Sequence, residues 1–261
     1  MNLPFAMRHA YIFTALMVVS IFIAGGISAV IPDTDQPELI AVIVRCGLLT
    51  ILIAVLLTRW EWWRQVGFRT PRRNRDLLYF LVPFIPVVLN LIPGSVVGNP
   101  ADLLQLLATA YSHPSDLLLV LVASLLVSFA QEGIFRGVML QAILPHGVWK
   151  AVIITALLFG LIHFAGLFQQ SATATVLQVS YLLATGFMFA ALVVRKGIIW
   201  PLILAHFLTD FTGFPNPNAA GTVASIPVDA GMIAVFLAYG FFVMMDGAHK
   251  VETRAPVVGV R

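Results

Sequence analysis

Charged residues are scarce in this chain of 261 residues, where Lys, Arg, Asp and Glu together make up only 10%. Soluble domains carry about 25% charged residues, because a surface in contact with water needs them. Hydrophobic residues instead make up 60% of the sequence, and the mean hydropathy is +0.96. These values exclude disordered and coiled-coil proteins. They predict an all-α membrane protein that crosses the bilayer several times.

Cysteine is nearly absent as well, since Cys46 is the one cysteine of the sequence. A single cysteine cannot form an internal disulfide, so a disulfide-stabilised scaffold is excluded. The net charge of +3 does not indicate nucleic-acid binding, because the basic residues lie in short segments between apolar stretches. In that position they set membrane topology and contact anionic lipid headgroups. We therefore expect the lipid bilayer, and no nucleic acid, as a partner.

Eight apolar stretches are candidates for membrane-spanning helices, each of which needs about 20 residues. They are residues 11–31, 39–57, 77–97, 117–144, 149–167, 174–194, 198–212 and 225–245. The first is too long for a cleaved signal peptide and lacks the small-residue cleavage pattern, so we expect it to be retained. We interpret residues 1–245 as a single transmembrane domain and residues 246–261 as a disordered cytoplasmic tail.

Connecting segments with and without lysine or arginine alternate strictly along the chain. Lys and Arg occupy every second connecting segment. The segments between them contain no Lys or Arg, and the first two of these hold acidic residues. Because positively charged loops stay in the cytoplasm, the pattern predicts eight crossings with both termini cytoplasmic. Residues 58–76 hold six arginines beside Trp60, Trp62 and Trp63. This composition predicts an interfacial aromatic anchor, with binding of an anionic lipid or a partner's tail as the alternative.

Some ionisable side chains inside the predicted spans stand out, because their cost in free energy there makes each a candidate for function. They are Arg45, Glu132, Arg136, His163, His206 and Asp210. Glu132 and Arg136 are four residues apart, in the favourable order for a helix, which predicts a mainly structural ion pair. Gly133 and Gly137 form a small-residue step that allows close approach of another helix. We expect Arg45 to snorkel towards the interface or to pair with a carboxylate.

Two further pairs have the same four-residue spacing: Phe159 with His163, and His206 with Asp210. A carboxylate at this distance can hold an imidazole in one tautomer. A group that activates water, together with donors for an oxyanion, suffices for peptide hydrolysis. A proton or ion pathway uses similar groups, but paired halves with interrupted helices, common in transporters, are not evident. The zinc motif HExxH is absent, although two His and two carboxylates suffice to ligate a metal.

Three motifs, in this order, resemble those of the CaaX-prenyl-protease-like intramembrane endopeptidases, a family that includes bacteriocin-processing and self-immunity proteins. Residues 131–137, QEGIFRG, are similar to its EExxxR signature. Residues 159–163, FGLIH, are similar to its FxxxH motif, and residues 206–210, HFLTD, to its HxxxN/D motif. The resemblance covers residues 117–212. It implies that activated water cuts a membrane-associated or lipidated peptide without a required cofactor, with a divalent metal such as zinc as an open alternative.

By this resemblance His163 activates the water, while His206 and Asp210 stabilise the oxyanion. Glu132 and Arg136 are implied to be mainly structural, in agreement with their spacing. The candidate catalytic residues are Gln131, Glu132, His163, His206 and Asp210, and the supporting residues are Arg136, Phe159, Gly133 and Gly137. The bacterial members further suggest a prokaryotic cell membrane as the location.

Gln131 departs from the family signature, which has glutamate at this position. An amide has no useful basicity, so the general base that the resemblance implies is missing. Three explanations are compatible with the sequence. Glu132 or His163 serves as the base; or the chain is an inactive relative that binds peptides or lipids, or confers immunity to a bacteriocin; or the glutamine was introduced into the natural sequence.

Overall fold

The computed structural model describes residues 5–30, 36–91, 114–168, 171–213 and 226–246, and these residues form helices and their connections without a strand. The main helices are α1 (Ala10–Ser28), α2 (Pro37–Arg59), α3 (Ile85–Leu91), α4 (Pro114–Glu132), α5 (Val148–Leu161), α6 (Ala172–Lys196), α7 (Trp200–Gly213) and α8 (Ile226–Asp246). They correspond in order to the eight predicted stretches. The all-α fold class is therefore confirmed.

Six segments within the described residues are long and apolar enough to cross a membrane. They are Ala10–Ser28, Pro37–Arg59, Ser115–His146, Val148–Ala165, Ala172–Lys196 and Pro227–Asp246. The protein is thus a multi-pass membrane protein, but the predicted count of eight crossings is not confirmed.

The two remaining predicted spans differ from the others in length. The third begins with 3₁₀ turns at Asn74–Phe80 and Val82–Phe84, and only Ile85–Leu91 of it is described as α-helix. Pro83 and Pro86 lack the N–H groups that a regular helix would use there. Helix α7 has 14 residues. At 1.5 Å per residue that is about 21 Å, which is shorter than a hydrocarbon core of about 30 Å.

Helix α4 continues beyond Glu132 as a π turn over Gly133–Met139, all of whose residues are buried. Such wide turns are rare and occur frequently at functional sites. A Cβ atom on Gly133 would lie 2.9 Å from Cγ2 of Ile53, so the absence of a side chain lets α2 approach this turn. The predicted small-residue step therefore does serve a close helix contact at Gly133.

The turn between α6 and α7 is anchored to the segment that follows α2. Gly197 ends α6 in the left-handed conformation, with φ of 70°, which glycine adopts without strain. Arg69 donates from Nε to the carbonyl of Gly197 at 2.6 Å, and the amide of Ile199 donates to the carbonyl of Gly67 at 3.2 Å. These bonds fix the start of α7, the helix that carries His206 and Asp210.

Basic residues of two separate segments lie at the same end of the bundle. Arg69 reaches Gly197, and Lys196 lies 3.8 Å from the carboxylate of Asp246 at the end of α8. Trp62, however, is only 1% exposed and packs against Trp60, with ring centroids 4.9 Å apart. The prediction of a lipid-facing anchor is therefore wrong for Trp62, which belongs to the core. The predicted disordered tail lies outside the described residues, apart from Asp246.

Candidate functional site

Glu132 is the centre of a buried polar cluster at the point where α4 passes into the π turn. Its side chain has no exposed surface, and Arg136 donates from Nη1 to its Oε1 atom at 3.1 Å. The same oxygen lies 2.8 Å from Nδ1 of His206 on α7. The ion pair predicted from the four-residue spacing is thus present, and the tertiary fold adds a histidine to it.

Helix α7 contributes His206 and Asp210, which lie one helical turn apart. Nε2 of His206 is 3.5 Å from Oδ2 of Asp210, and the two side chains are 13% and 30% exposed. Asn90 of α3 holds this helix one turn further on, because its amide donates to Oγ1 of Thr212 at 3.0 Å. His206 therefore lies between two carboxylates, of which only Glu132 is shielded completely from solvent.

Phe159 of α5 packs at the middle of the cluster. Its ring lies 4.0 Å from the guanidinium carbon of Arg136, a distance typical of a cation–π interaction. The ring centroids of His163 and His206 are 5.4 Å and 6.4 Å from that of Phe159. The aromatic ring thus separates the two histidines and contacts the arginine that holds Glu132.

His163 lies just beyond the end of α5, in the 3₁₀ turn Ile162–Phe168. Its Nδ1 is 2.7 Å from the carbonyl oxygen of Phe159. Because a carbonyl oxygen only accepts hydrogen bonds, Nδ1 carries a proton, and in the neutral ring Nε2 then holds the lone pair. His163 is half-buried, so its second nitrogen is suited to accept a proton.

Gln131 and Arg45 lie outside the cluster. Gln131 is half-buried, and no hydrogen bond joins it to the cluster within the described part of the chain. Arg45 is half-buried on α2, and its Cδ lies 4.0 Å from the position that a Cβ of Gly25 would occupy. No carboxylate lies within ion-pair distance of Arg45 among the described residues. The structure thus gives no support to the carboxylate pairing expected for Arg45, and its snorkelling stays a prediction.

A cavity of about 80 Å³ adjoins the exposed side of His206 and Asp210. Since one water occupies about 10–15 Å³ by the same measure, the cavity has room for several water molecules but not for a peptide. Its walls come from α3 and the segment before it, and from α5, α6, α7 and α8. They include Pro83, Phe159, Tyr181, Thr185 and Phe236. An imidazole and a carboxylate therefore face a small space that can hold water.

No group of three or more His, Cys, Asp or Glu side chains in the described residues has the geometry of a metal site. Glu132 Oε2 and Arg136 Nη2 are buried without a hydrogen-bond partner among these residues. Unpaired polar atoms of this kind are costly, and ordered water is their usual partner.

Several cavity and cluster residues were not predicted from the sequence. Phe189 lies 5.2 Å from the guanidinium carbon of Arg136, on α6, and Tyr181 and Thr185 of the same helix line the cavity. Residues of these types are common in membrane helices, so no signal distinguished them. Asn90 is different, because a polar amide inside an apolar stretch was a signal that could have been used.

Comparison with known proteins finds a match in the region that carries the three motifs. A protein-family model described as type II CAAX prenyl endopeptidase Rce1-like matches residues 113–212. No curated protein and no solved structure matches the chain. The matched range contains α4, the π turn, α5, α6 and α7 as far as residue 212, and with them every residue of the Glu132 cluster. Over residues 113–212, the chain is thus similar to the Rce1-like type II CAAX prenyl endopeptidases.

Proposed function

We propose that this protein is an intramembrane endopeptidase that uses activated water to cut a membrane-associated or lipidated peptide. The observation that carries the proposal is the cavity in which His206 and Asp210 face a space large enough for water. Peptide hydrolysis needs a base for the water and donors for the oxyanion, and the imidazole and carboxylate groups here can fill such roles. The family match over residues 113–212 supports the same reaction class.

The resemblance assigns the roles within this proposal. His163 would activate the water, and its free Nε2 supports that role. His206 and Asp210 would stabilise the oxyanion. Glu132, paired with Arg136, would hold His206 in place through its contact with Nδ1. Phe159, Gly133 and Gly137 would support this pair. Gln131 would contribute no base, because its amide cannot accept a proton usefully.

The proposal requires no metal or organic cofactor, with zinc as the alternative that chelation tests. It places the protein in a prokaryotic cell membrane, with the basic end of the bundle and both termini in the cytoplasm. The substrate would then be a peptide or protein that is itself embedded in, or anchored to, the bilayer.

The proposal is tested with the purified full chain in lipid vesicles. Prenylated peptides and their unmodified counterparts, each anchored in the membrane, are incubated with the protein and analysed by mass spectrometry. We expect cleavage by the parent and at least a hundredfold slower cleavage by His206→Ala and Asp210→Ala. His9→Ala is the matched control, because His9 is exposed and lies far along the chain from the cluster. A chelator should leave the rate unchanged, whereas a loss of activity restored by zinc would establish the metal alternative.

Gln131 favours one second candidate, a family member that binds a peptide or lipid without cutting it, as in self-immunity to a bacteriocin. This binding function is favoured if a peptide of the panel binds the parent but is cut neither by the parent nor by Gln131→Glu. Cleavage that is equally fast in the parent and in the His206 and Asp210 variants would contradict the proposed site.

A further inference from the structure

The end of the basic segment 58–76 presents unneutralised positive charge, for which the sequence left two ligands open, an anionic lipid or a partner's tail. Arg72, Arg73 and Arg75 are exposed, whereas Asp76, the acidic residue beside them, is half-buried. None of the three arginines forms an ion pair with another residue in the described part of the chain. This excess of positive charge favours an anionic ligand.

The 3₁₀ turns that follow place an arginine and two leucines on one face. A 3₁₀ helix has three residues per turn, so residues three apart lie one above the other. Arg75 and Leu78 have this spacing within the turn Asn74–Phe80, and Leu81 follows three residues further on. Leu78 and Leu81 are each 63% exposed, while Phe80 between them is 2% exposed. One charged and two apolar side chains thus form an outward-facing stripe.

Contacts with two long helices place this stripe at the edge of the bilayer. The hydroxyl of Tyr79 donates to Oδ2 of Asp246, the last residue of α8, at 2.8 Å. Nζ of Lys196, the last residue of α6, lies 3.2 Å from the centre of the Tyr79 ring. Both helices are long and apolar enough to cross a membrane, so their last residues lie near its surface. Tyrosine is enriched at this level of membrane proteins.

From this level the segment runs towards the interior of the bundle. Pro83 and Pro86 form part of the wall of the cavity that His206 and Asp210 face. At about 2 Å per residue, six residues of 3₁₀ helix carry the chain about 12 Å inwards from Arg75. The arginine therefore lies at the level of the lipid headgroups, and the two leucines lie at the level where the acyl chains begin.

This order of charged and apolar surface matches a phospholipid. One phospholipid presents its phosphate at the membrane surface and its acyl chains below, so it can contact the arginines and the leucines together. An acidic protein tail in water would neutralise the arginines but would not reach leucines on the bilayer side. A zwitterionic headgroup carries its own cation beside the phosphate, so the excess of arginine favours a lipid with a net negative charge.

We propose that Arg72, Arg73, Arg75, Leu78 and Leu81 form a binding site for an anionic phospholipid. The guanidinium groups bind the phosphate through charge-assisted hydrogen bonds, and the leucines contact the acyl chains. The site lies outside the Glu132 cluster and goes beyond the proposed function. Because the same segment continues into the cavity wall, we expect the bound lipid to stabilise the fold around the cavity.

The first experiment compares two lipids that differ only in the headgroup. The full chain is purified in detergent, depleted of lipid and supplied with phosphatidylglycerol or with phosphatidylcholine of the same acyl chains. Thermal unfolding is measured, and native mass spectrometry counts the lipids that stay bound. We expect phosphatidylglycerol to raise the melting temperature to a plateau, because a ligand that binds only the folded protein stabilises it. An equal rise with phosphatidylcholine would overturn the proposal.

Two further probes distinguish the sources of negative charge. Inorganic phosphate has the charge of the headgroup without acyl chains, and a soluble oligoglutamate peptide represents an acidic protein tail. We expect neither to raise the melting temperature at the concentration at which phosphatidylglycerol reaches its plateau. Full stabilisation by phosphate would show an anion site without a lipid, and full stabilisation by the peptide would show a protein-binding surface. Either result overturns the proposal.

Substitution of arginines locates the site. Arg72→Gln with Arg75→Gln removes two charges from it, and Arg59→Gln with Arg64→Gln removes two exposed charges from elsewhere in the same connecting segment. Because an arginine near an anionic surface contributes about fivefold to binding, the first pair should weaken binding of phosphatidylglycerol by about 25-fold, and the control pair by much less. Equal binding by the two double variants would overturn the proposal.

Substitution of leucines tests the apolar half of the site. Leu81→Ala should weaken binding of phosphatidylglycerol, whereas Leu118→Ala on α4, at a position that is 61% exposed, should not. All the substituted side chains are exposed, so the melting temperatures without lipid should equal that of the parent, and this measurement excludes misfolding. None of these measurements uses cleavage, so failure of the proposed protease activity leaves the lipid site standing, and failure of lipid binding leaves the proposed activity standing.

Discussion

Arg136 holds the carboxylate of Glu132 at 3.1 Å in a position where neither side chain contacts solvent. Removal of one partner of a buried pair leaves an unpaired charge, at a cost of about 3–5 kcal/mol. We therefore expect Arg136→Ala to lower the melting temperature in detergent markedly, and Arg136→Ala combined with Glu132→Gln to recover part of the loss. Arg59→Ala is the control, because Arg59 is exposed. An unchanged melting temperature of Arg136→Ala would show that the pair does not contribute to stability.

Gln131 gives a second prediction at the residue scale. Glutamate at this position adds a carboxylate base, and a general base typically contributes about 10²–10⁴-fold to a rate. We expect Gln131→Glu to raise the cleavage rate of a membrane-anchored peptide. Gln65→Glu, at an exposed position, is the matched control for the added charge. If the parent already cuts fast and Gln131→Glu leaves its rate unchanged, residue 131 is not the base position of this chain.

The contact between α5 and α6 depends on glycines that leave no room for a side chain. A Cβ atom at Gly160 would lie 2.5 Å from Cγ of Leu183 and 3.2 Å from its backbone nitrogen. At Gly186 it would lie 3.1 Å from Cα of Ala156. Small residues of this kind allow membrane helices to pack at short range, since packing and not apolar burial drives their association. Phe159 and His163 are carried by α5 and the turn after it, so the fit of the site depends on this contact.

Gly160→Ala should therefore destabilise the protein by about 1–3 kcal/mol, the usual cost of overpacking. Gly231→Ala is a matched control within α8, because a Cβ atom there would meet no other atom within 4 Å. We expect it to be neutral or slightly stabilising, since alanine is the better helix former. Thermal unfolding of both variants in the same detergent decides the matter, and equal melting temperatures would contradict the proposed tight crossing.

At the scale of the whole molecule, the orientation in the membrane is predicted from the restriction of Lys and Arg to every second connecting segment. Reporter fusions at residues 69, 196 and 250 should give cytoplasmic signals, and fusions near residues 35, 102 and 218 should give external ones. Arg69 and Lys196 lie at the same end of the described bundle, which agrees with the first set. A single fusion with the opposite signal would rule out eight crossings with both termini in the cytoplasm.

Asp246 joins three distant parts of the chain at that end. Its carboxylate accepts a hydrogen bond from the hydroxyl of Tyr79 at 2.8 Å and lies 3.8 Å from Nζ of Lys196. Because Asp246 is 41% exposed, its ion pair contributes little and the hydrogen bond more. We expect Asp246→Ala to cost about 1 kcal/mol, measured by thermal unfolding, while Glu61→Gln at an exposed position has no effect. A loss no larger than that of Glu61→Gln would show that this contact does not hold α8.

Local sequence patterns were sufficient to predict the order of the helices and the ion pair within α4 and its π turn. The apolar stretches predicted the helices, because hydropathy over about 20 residues reports burial in lipid whatever the neighbours are. The spacing of Glu132 and Arg136 predicted their ion pair, because residues four apart share a helix face. The three motifs predicted the region that the family model later matched.

The contacts between helices, by contrast, depended on the tertiary structure. Glu132 and His206 are 74 residues apart, and only the packing of α4 against α7 brings them within 2.8 Å. The position of Phe189 near Arg136 has the same origin. The 3₁₀ turns at the start of the third predicted span were not evident from hydropathy, which does not register where such turns interrupt a helix. Helix rotation and crossing are set by side-chain packing over the whole bundle, and this is why the sequence could name the polar residues but not the histidine that Glu132 contacts.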